Sequence, residues 1–304
     1  MAIRGDVSVH GPIKGIYPML YAFFGADGAV LRNGFARQIE AAVAVGASGV
    51  AVLGLATEVG KLSRAEQRQI VEWVVADLRG RLPLAVTVAD GNVADMIDSA
   101  RFAFAAGADW VILQPPRPPI SGAQLVAFFG AVAAAVEGPV AIQNAPEFLG
   151  VGLSPAELLA LNAAHPNACV VKAESSAVGV ANLIQQVGDR MAVFNGRAGL
   201  ELTDNYRAGV VGMIPGIDSI DLQVAVERAM QAGDEAKAEA IYRRLLPSVA
   251  FAMQGLAHLV LYGKHITALR LGLPLSYPRL PADLPTMQGL AWAQRMATDL
   301  GPLP

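Results

Sequence analysis

The segment Ala168-Cys169-Val170-Val171-Lys172-Ala173-Glu174 decides how the rest of this chain is read. It opens as an apolar run without apolar/polar alternation and closes on a lysine and a glutamate. Unbroken apolar runs of this length suit strands buried on both faces, as in parallel sheets. Counting this run as 169–173, the sequence holds eight of them, the others at 16–24, 49–54, 84–89, 110–114, 140–144, 192–195 and 210–214. Between them lie longer Ala-rich stretches with charges at helical spacing, at 33–45, 63–79, 93–106, 123–136, 155–164, 177–187, 198–207 and 219–232.

Helix punctuation falls where this reading needs it. Ser63-x-x-Glu66 reads as a capping box, and Ser154-Pro155-x-Glu157 as an N-cap with proline at the first helical position. Gly46, Gly107, Gly188 and Gly209 each follow a helical stretch and precede a strand, where a C-capping glycine belongs. Eight strand–helix units in series predict a closed (β/α)8 TIM barrel. A doubly wound sheet is the competing architecture, but Gly25-Ala26-Asp27-Gly28 after the first strand is a turn and not a dinucleotide fingerprint. The expected division is a barrel over 1–232 and a C-terminal helical appendage over 233–304, with a Pro-rich stretch at 274–285 and a last helix near 287–299.

Composition narrows the class. Of 304 residues, 54% are hydrophobic and 16% charged, against roughly 25% charged in a typical soluble domain. That balance excludes a disordered chain. A net charge of −3 offers no footprint for nucleic acid. The single cysteine, Cys169, excludes a disulfide framework and a multi-thiolate zinc site. A membrane span needs about 20 continuous apolar residues. The two uncharged stretches, 118–136 and 245–262, are broken by prolines, glycines and polar residues. Met1 to His10 carries Arg4 and Asp6 without an apolar run, so no secretory signal is read there. The expectation is a cytoplasmic protein with no membrane or nucleic-acid partner. The apolar excess on its helices points to a homo-oligomer.

In a (β/α)8 barrel the active site lies at the C-terminal strand ends. The polar candidates there are Thr57 and Glu58, Gln114 and Arg117, Gln143 and Asn144, Lys172 and Glu174, and Asn195 and Arg197. Lys172 ends an apolar run, and a desolvated lysine offers a neutral amine as nucleophile. Strand alternation puts Glu174 on the same face, about 7 Å further along. The plain alternative is a salt bridge at a strand end. For Glu58 the alternative is a charge at a helix N-terminus, and for Arg117 and Arg197 a solvated surface charge. His10, His165, His258 and His265 show no metal-binding spacing, no serine sits in a nucleophile elbow, and no Gly-rich phosphate cup follows the seventh or eighth strand. An unphosphorylated acid is therefore favoured over a sugar phosphate.

With Lys172 in place, the order of motifs resembles that of the dihydrodipicolinate synthase / N-acetylneuraminate lyase superfamily of Schiff-base barrels, from about Gly15 to Gly272. Gly54-Leu55-Ala56-Thr57-Glu58 stands for the family's Gly-Thr-Thr-Gly-Glu. Gln143-Asn144-Ala145-Pro146 stands for Tyr-Asn-x-Pro, Val171-Lys172-Ala173-Glu174 for Ile-Lys-Glu, and Gly212-Met213-Ile214 for the glycine-led last strand. The departures are as informative. Leu55 and Ala56 replace the threonines that hold the keto-acid carboxylate. Gln143 replaces the proton-relaying tyrosine, and an amide is no general acid at neutral pH. Pro115-Pro116-Arg117 replaces a tyrosine pair, and Phe148 stands where the synthase arginine would be.

These features are similar to those of the 2-keto-3-deoxy-L-arabonate dehydratase-like branch. The resemblance implies a Schiff-base lyase, most simply a dehydratase of an unphosphorylated 2-keto-3-deoxy sugar acid. Lys172, Glu174 and Gln143 would be its catalytic group, and Ala56, Thr57, Glu58, Asn144, Asn195 and Ile214 would seat the substrate. No metal or organic cofactor is required, because the lysine supplies the electron sink. The family favours a tetramer, with a dimer as the smaller alternative. Two further readings stay open. One is dihydrodipicolinate synthase or a pyruvate-releasing aldolase. The other is a barrel that binds a keto acid without turnover.

Overall fold

The structure, a computed structural model, describes residues 12–304, so the expectations for residues 1–10, His10 among them, lie outside the described residues. Eight parallel strands form a nearly closed barrel: β1 (Gly15–Ile16), β2 (Val50–Val52), β3 (Leu84–Val88), β4 (Trp110–Leu113), β5 (Val140–Asn144), β6 (Ala168–Ala173), β7 (Ala192–Asn195) and β8 (Gly212–Met213). The hydrogen-bonded order runs β1-β8-β7-β6-β5-β4-β3-β2. A bridge between Met19 and Ala51 joins the two ends. Helices alternate with the strands: α1 (Arg32–Val45), α2 (Arg64–Leu78), α3 (Val93–Ala106), α4 (Ala123–Ala134), the short α5 (Pro146–Leu149), α6 (Pro155–Ala164), α7 (Ala177–Val187), α8 (Leu202–Ala208) and α9 (Ile220–Gln231).

Both capping boxes form, Ser63 with Glu66 and Ser154 with Glu157. Gly46, Gly107 and Gly209 close their helices in the left-handed conformation that lets the next strand begin at once. Two expectations need correction. The first strand, read as 16–24, is a regular ladder only at Gly15–Ile16. Pro18 has no N–H to donate, and the extended segment beyond it bonds singly: Met19 N to Pro215 O at 2.7 Å and Leu20 N to Ala51 O at 2.8 Å. The helix read as 198–207 begins only at Leu202. Arg197, Ala198, Gly199 and Glu201 all have positive φ, so the chain coils above β7 before a helix can start.

The barrel interior is closed at its N-terminal end by aromatic rings. Tyr17, Trp110 and Phe194 meet pairwise with centroids 5.3, 5.6 and 6.0 Å apart. Two glycines make room for them. A Cβ at Gly49 would lie 2.1 Å from the Tyr17 ring, and one at Gly212 would lie 2.4 Å from Phe194 Cε1. The plug abuts the polar layer directly, because Phe194 is in register with Lys172.

After the barrel, α10 (Glu235–Ala252), α11 (Leu256–His258), a π turn (Leu259–Gly263), α12 (Lys264–Leu271) and α13 (Met287–Leu300) follow. The path bends by 107° between α10 and the segment Leu256–Leu271, which turns the chain back over the barrel mouth. Among the described residues no single helix is long and apolar enough to cross a membrane. The segment between α12 and α13 is pinned by Arg279, which donates to Gly28 O and Lys61 O, grips both Glu66 oxygens, and lies 4.3 Å over the Phe24 ring.

That clamp carries a pH prediction. Hydrogen bonding from Arg279, then from Ser63, holds the Glu66 carboxyl down from 4.5 to about 2. The folded state therefore gains stability from ionised Glu66 at neutral pH and loses it as pH falls from about 4.5 toward 2. Glu66→Gln should cost about 1–2 kcal/mol at pH 6, allowing for screening by water. The gap from wild type should narrow by pH 3, as urea unfolding midpoints at the two pH values would show.

Candidate active site

Parallel register brings the polar layer together. Lys172 on β6 sits opposite Gln143 on β5 and Phe194 on β7. Parallel strands in register point equivalent side chains the same way, so Lys172 and Gln143 face the barrel mouth side by side. Glu174, two residues on, faces the same way. Lys172 Nζ donates to Glu174 Oε1 at 2.5 Å, and Gln143 Nε2 donates to the same oxygen at 3.0 Å. The pair is almost dry, with side-chain exposures of 4% for Lys172 and 10% for Glu174. Gln143 Oε1 is buried without a hydrogen-bond partner. An amine, a carboxylate and an unpaired acceptor thus converge at one point.

A small pocket, open to solvent, lies over this point. Ala56 and Ile214 line it, as expected, together with Leu55, Phe148 and Arg197. Met253, Leu256 and Leu259 roof it from the C-terminal helices. Among the described residues lining it, the ionisable ones are Lys172, Glu174 and Arg197. Burial raises the pKa of the Cys169 thiol on the same strand, which leaves it protonated and a poor nucleophile.

Four of the expected substrate-seating side chains have other work. Thr57 Oγ1 donates to Leu20 O at 2.6 Å and is fully buried, which ties the β2 loop to the chain after β1. Asn144 is held by both ends of its amide to Leu153, at 3.0 Å and 2.8 Å. Asn195 accepts from Gly196 N at 2.9 Å and donates to Ser175 O at 2.9 Å and Asn205 Oδ1 at 2.7 Å. These amides shape the loops after β5, β6 and β7 and leave the pocket wall to other residues. Glu58 sits at φ 61 and pairs with Lys61 at 2.7 Å and with Lys264 of α12. It braces the β2 loop against the C-terminal helices. Burial lowers the Lys264 pKa below the ordinary lysine value, while the Glu58 charge opposes that shift.

Arg117 lies apart from Lys172, on a second, larger cleft between the loops after β2 to β4 and the segment around Tyr277. Leu55 and Leu256 separate the two spaces, since each lines both. His258 stacks between Phe251 and Tyr262, with centroids at 5.0 and 4.5 Å. Among the described residues no three His, Cys, Asp or Glu side chains cluster as metal ligands. Sequence reasoning missed the apolar roof and underweighted Arg197. The roof depends on a 107° bend that no motif announces.

Comparison with known proteins agrees with this fold. Residues 12–285 match the model of the dihydrodipicolinate synthetase family. The 4-hydroxy-tetrahydrodipicolinate synthase of Sorangium cellulosum (strain So ce56) is 31% identical over 300 residues, covering 93% of this chain and 96% of that protein. YagE of Escherichia coli (strain K12), named provisionally as a 2-dehydro-3-deoxy-D-gluconate aldolase, is 28% identical over 238 residues, 76% of this chain and 79% of its own. The structure of YagE in complex with pyruvate superposes with a TM-score of 0.87 over 95% of this chain and 98% of that one, at 25% identity.

The brace at Glu58 is directly testable. Glu58→Gln leaves Lys264 a buried cation without its partner and should cost about 3 kcal/mol. Adding Lys264→Met should recover most of that loss. Denaturant unfolding of the single and double variants measures the coupling, and simple additivity would rule the brace out.

Proposed function

This chain belongs to the dihydrodipicolinate synthetase family, and is a lyase of that family; we propose that its reaction is the dehydration of an unphosphorylated 2-keto-3-deoxy sugar acid through a Schiff base on Lys172. The observation that carries the reading is the 2.5 Å contact between Lys172 Nζ and Glu174 Oε1 in a pocket lined by no tyrosine or histidine among the described residues.

The pair can exchange a proton along that contact to give a neutral amine and a carboxylic acid. The amine attacks C2 of the keto acid. The acid protonates the carbinolamine hydroxyl, which leaves as water and yields an iminium. The iminium draws electrons from C3, and the Glu174 carboxylate removes a C3 proton to give the enamine. The enamine expels the C4 hydroxyl, which departs as water with the proton returned by Glu174. Hydrolysis of the unsaturated iminium releases product and restores Lys172. Gln143 Nε2 orients the carboxylate throughout. The C1 carboxylate is seated at the β2 loop, where Ala56 lines the pocket and the backbone amides take the place of absent side-chain donors.

Carbon–carbon lyase chemistry, as synthase or pyruvate-releasing aldolase, is the second reading, and the names of the Sorangium and YagE relatives favour it. Against it stands the amide of Gln143 at the position where the resemblance expects a proton-relaying tyrosine. The same proposal includes a cytoplasmic homo-oligomer, supported by the exposed apolar side chains Leu280, Leu284, Met287 and Trp292.

Borohydride reduction in the presence of pyruvate, followed by mass spectrometry, should show an adduct on Lys172 in the wild type and in Glu174→Gln, and none in Lys172→Met. Glu174→Gln should lower kcat for dehydration by about 10²- to 10⁴-fold. No wild-type adduct would sink the Schiff-base reading, and full activity of Glu174→Gln would remove Glu174 from its role.

A further inference from the structure

Among the described residues lining the active-site cavity, Arg197 is the one cation that the proposed chemistry leaves unused. Its side chain is 19% exposed and lines the same space as Lys172. Its Nε is buried without a hydrogen-bond partner. The two carboxylates near it are loosely held, Glu201 at 3.6 Å and Glu147 at 3.8 Å, whereas a committed guanidinium–carboxylate pair closes to about 2.7–2.9 Å. Both carboxylates are solvent-exposed, at 40% and 56%; Glu147 can turn to water when another anion arrives, while Glu201 is also held by Ala177 N at 3.2 Å and can let go of Arg197 without losing that bond.

The backbone fixes where that guanidinium acts. Asn195 Oδ1 accepts from Gly196 N, and the following residues Arg197, Ala198 and Gly199 all take positive φ. A Cβ at Gly196 would lie 3.3 Å from Glu174 Oε1, so a glycine before Arg197 leaves room for the proton-carrying carboxylate beside the turn. The β2 loop, which receives the C1 carboxylate, lies across the barrel from β6 in the strand order. A substrate joined to Lys172 at C2 therefore has C1 toward β2. Its C3 and C4 lie beside Glu174, and its far end is toward Arg197.

Resting on the Schiff-base reading of Lys172, we propose that Arg197 is a specificity-determining residue that binds a second carboxylate at the far end of the substrate, so that the preferred substrates are dicarboxylic 2-keto acids. A planar guanidinium matches a carboxylate with two parallel hydrogen bonds, which a sugar hydroxyl cannot offer. Apolar Phe148 and Leu55 on the same walls add no competing donors.

Borohydride trapping on the full chain with three probes tests this: pyruvate, 2-oxoglutarate, and 2-oxopentanoate as its uncharged-end counterpart. The wild type should reach half-maximal adduct at a 2-oxoglutarate concentration at least tenfold below that for 2-oxopentanoate. Arg197→Gln should abolish the preference by raising the 2-oxoglutarate requirement, and Arg197→Lys should keep part of it. Thermal melting of each variant confirms that it is folded. Pyruvate adduct without any preference for 2-oxoglutarate in the wild type overturns this inference alone. So does an Arg197→Gln variant that weakens all three probes equally, since Arg197 would then be holding the C1 carboxylate. Absence of every adduct, pyruvate included, overturns the Schiff-base reading and this inference with it.

Discussion

The structure turns on one buried contact, Lys172 Nζ to Glu174 Oε1 at 2.5 Å. Two opposite charges removed from water are tolerated only when they face one another with their remaining hydrogen-bonding capacity met, and removing one partner of such a pair typically costs about 3–5 kcal/mol. Everything around the pair serves that condition. Register with β5 brings in the Gln143 amide, the aromatic plug of Tyr17, Trp110 and Phe194 closes the barrel from below, and apolar side chains of the C-terminal helices roof part of the pocket above. The same dryness gives the pair its chemistry, because a proton can pass along a short, desolvated contact and leave a neutral amine beside a carboxylic acid.

The barrel was legible because its information is local and redundant. Unbroken apolar runs, capping boxes and helix-closing glycines repeat through the chain, and each marks its own element independently of the others. Where the reading slipped, the cause was local as well. Pro18 removes a donor and reduces the first strand to a short ladder followed by single bonds. Positive φ at Arg197, Ala198, Gly199 and Glu201, with Leu200 extended among them, delays α8, although the composition there is that of an ordinary helix.

The site was legible in part, for a different reason. Two-residue alternation along β6 is a rigid rule, and it places Lys172 and Glu174 on one face from the sequence alone. What the alternation rule cannot give is where a short polar side chain spends its hydrogen bonds. Thr57, Asn144 and Asn195 stand at strand ends, as read, but Leu20, Leu153, Ser175 and Asn205 claim their donors and acceptors. Those partners come from loops whose paths follow from tertiary packing. For Arg197 the sequence leaves a candidate site cation and a solvated surface charge both open, for the same reason. Only the coiled backbone after β7 turns it into the cavity.

The central claim is that Glu174, with no tyrosine relay beside it, directs the Lys172 enamine toward loss of a hydroxyl. The most direct measurement is proton NMR of the products formed from a panel of unphosphorylated 2-keto-3-deoxy acids, mono- and dicarboxylic. The account predicts loss of the C4 hydroxyl, with every substrate carbon retained in one product and no pyruvate formed. Stoichiometric release of pyruvate with an aldehyde would contradict it.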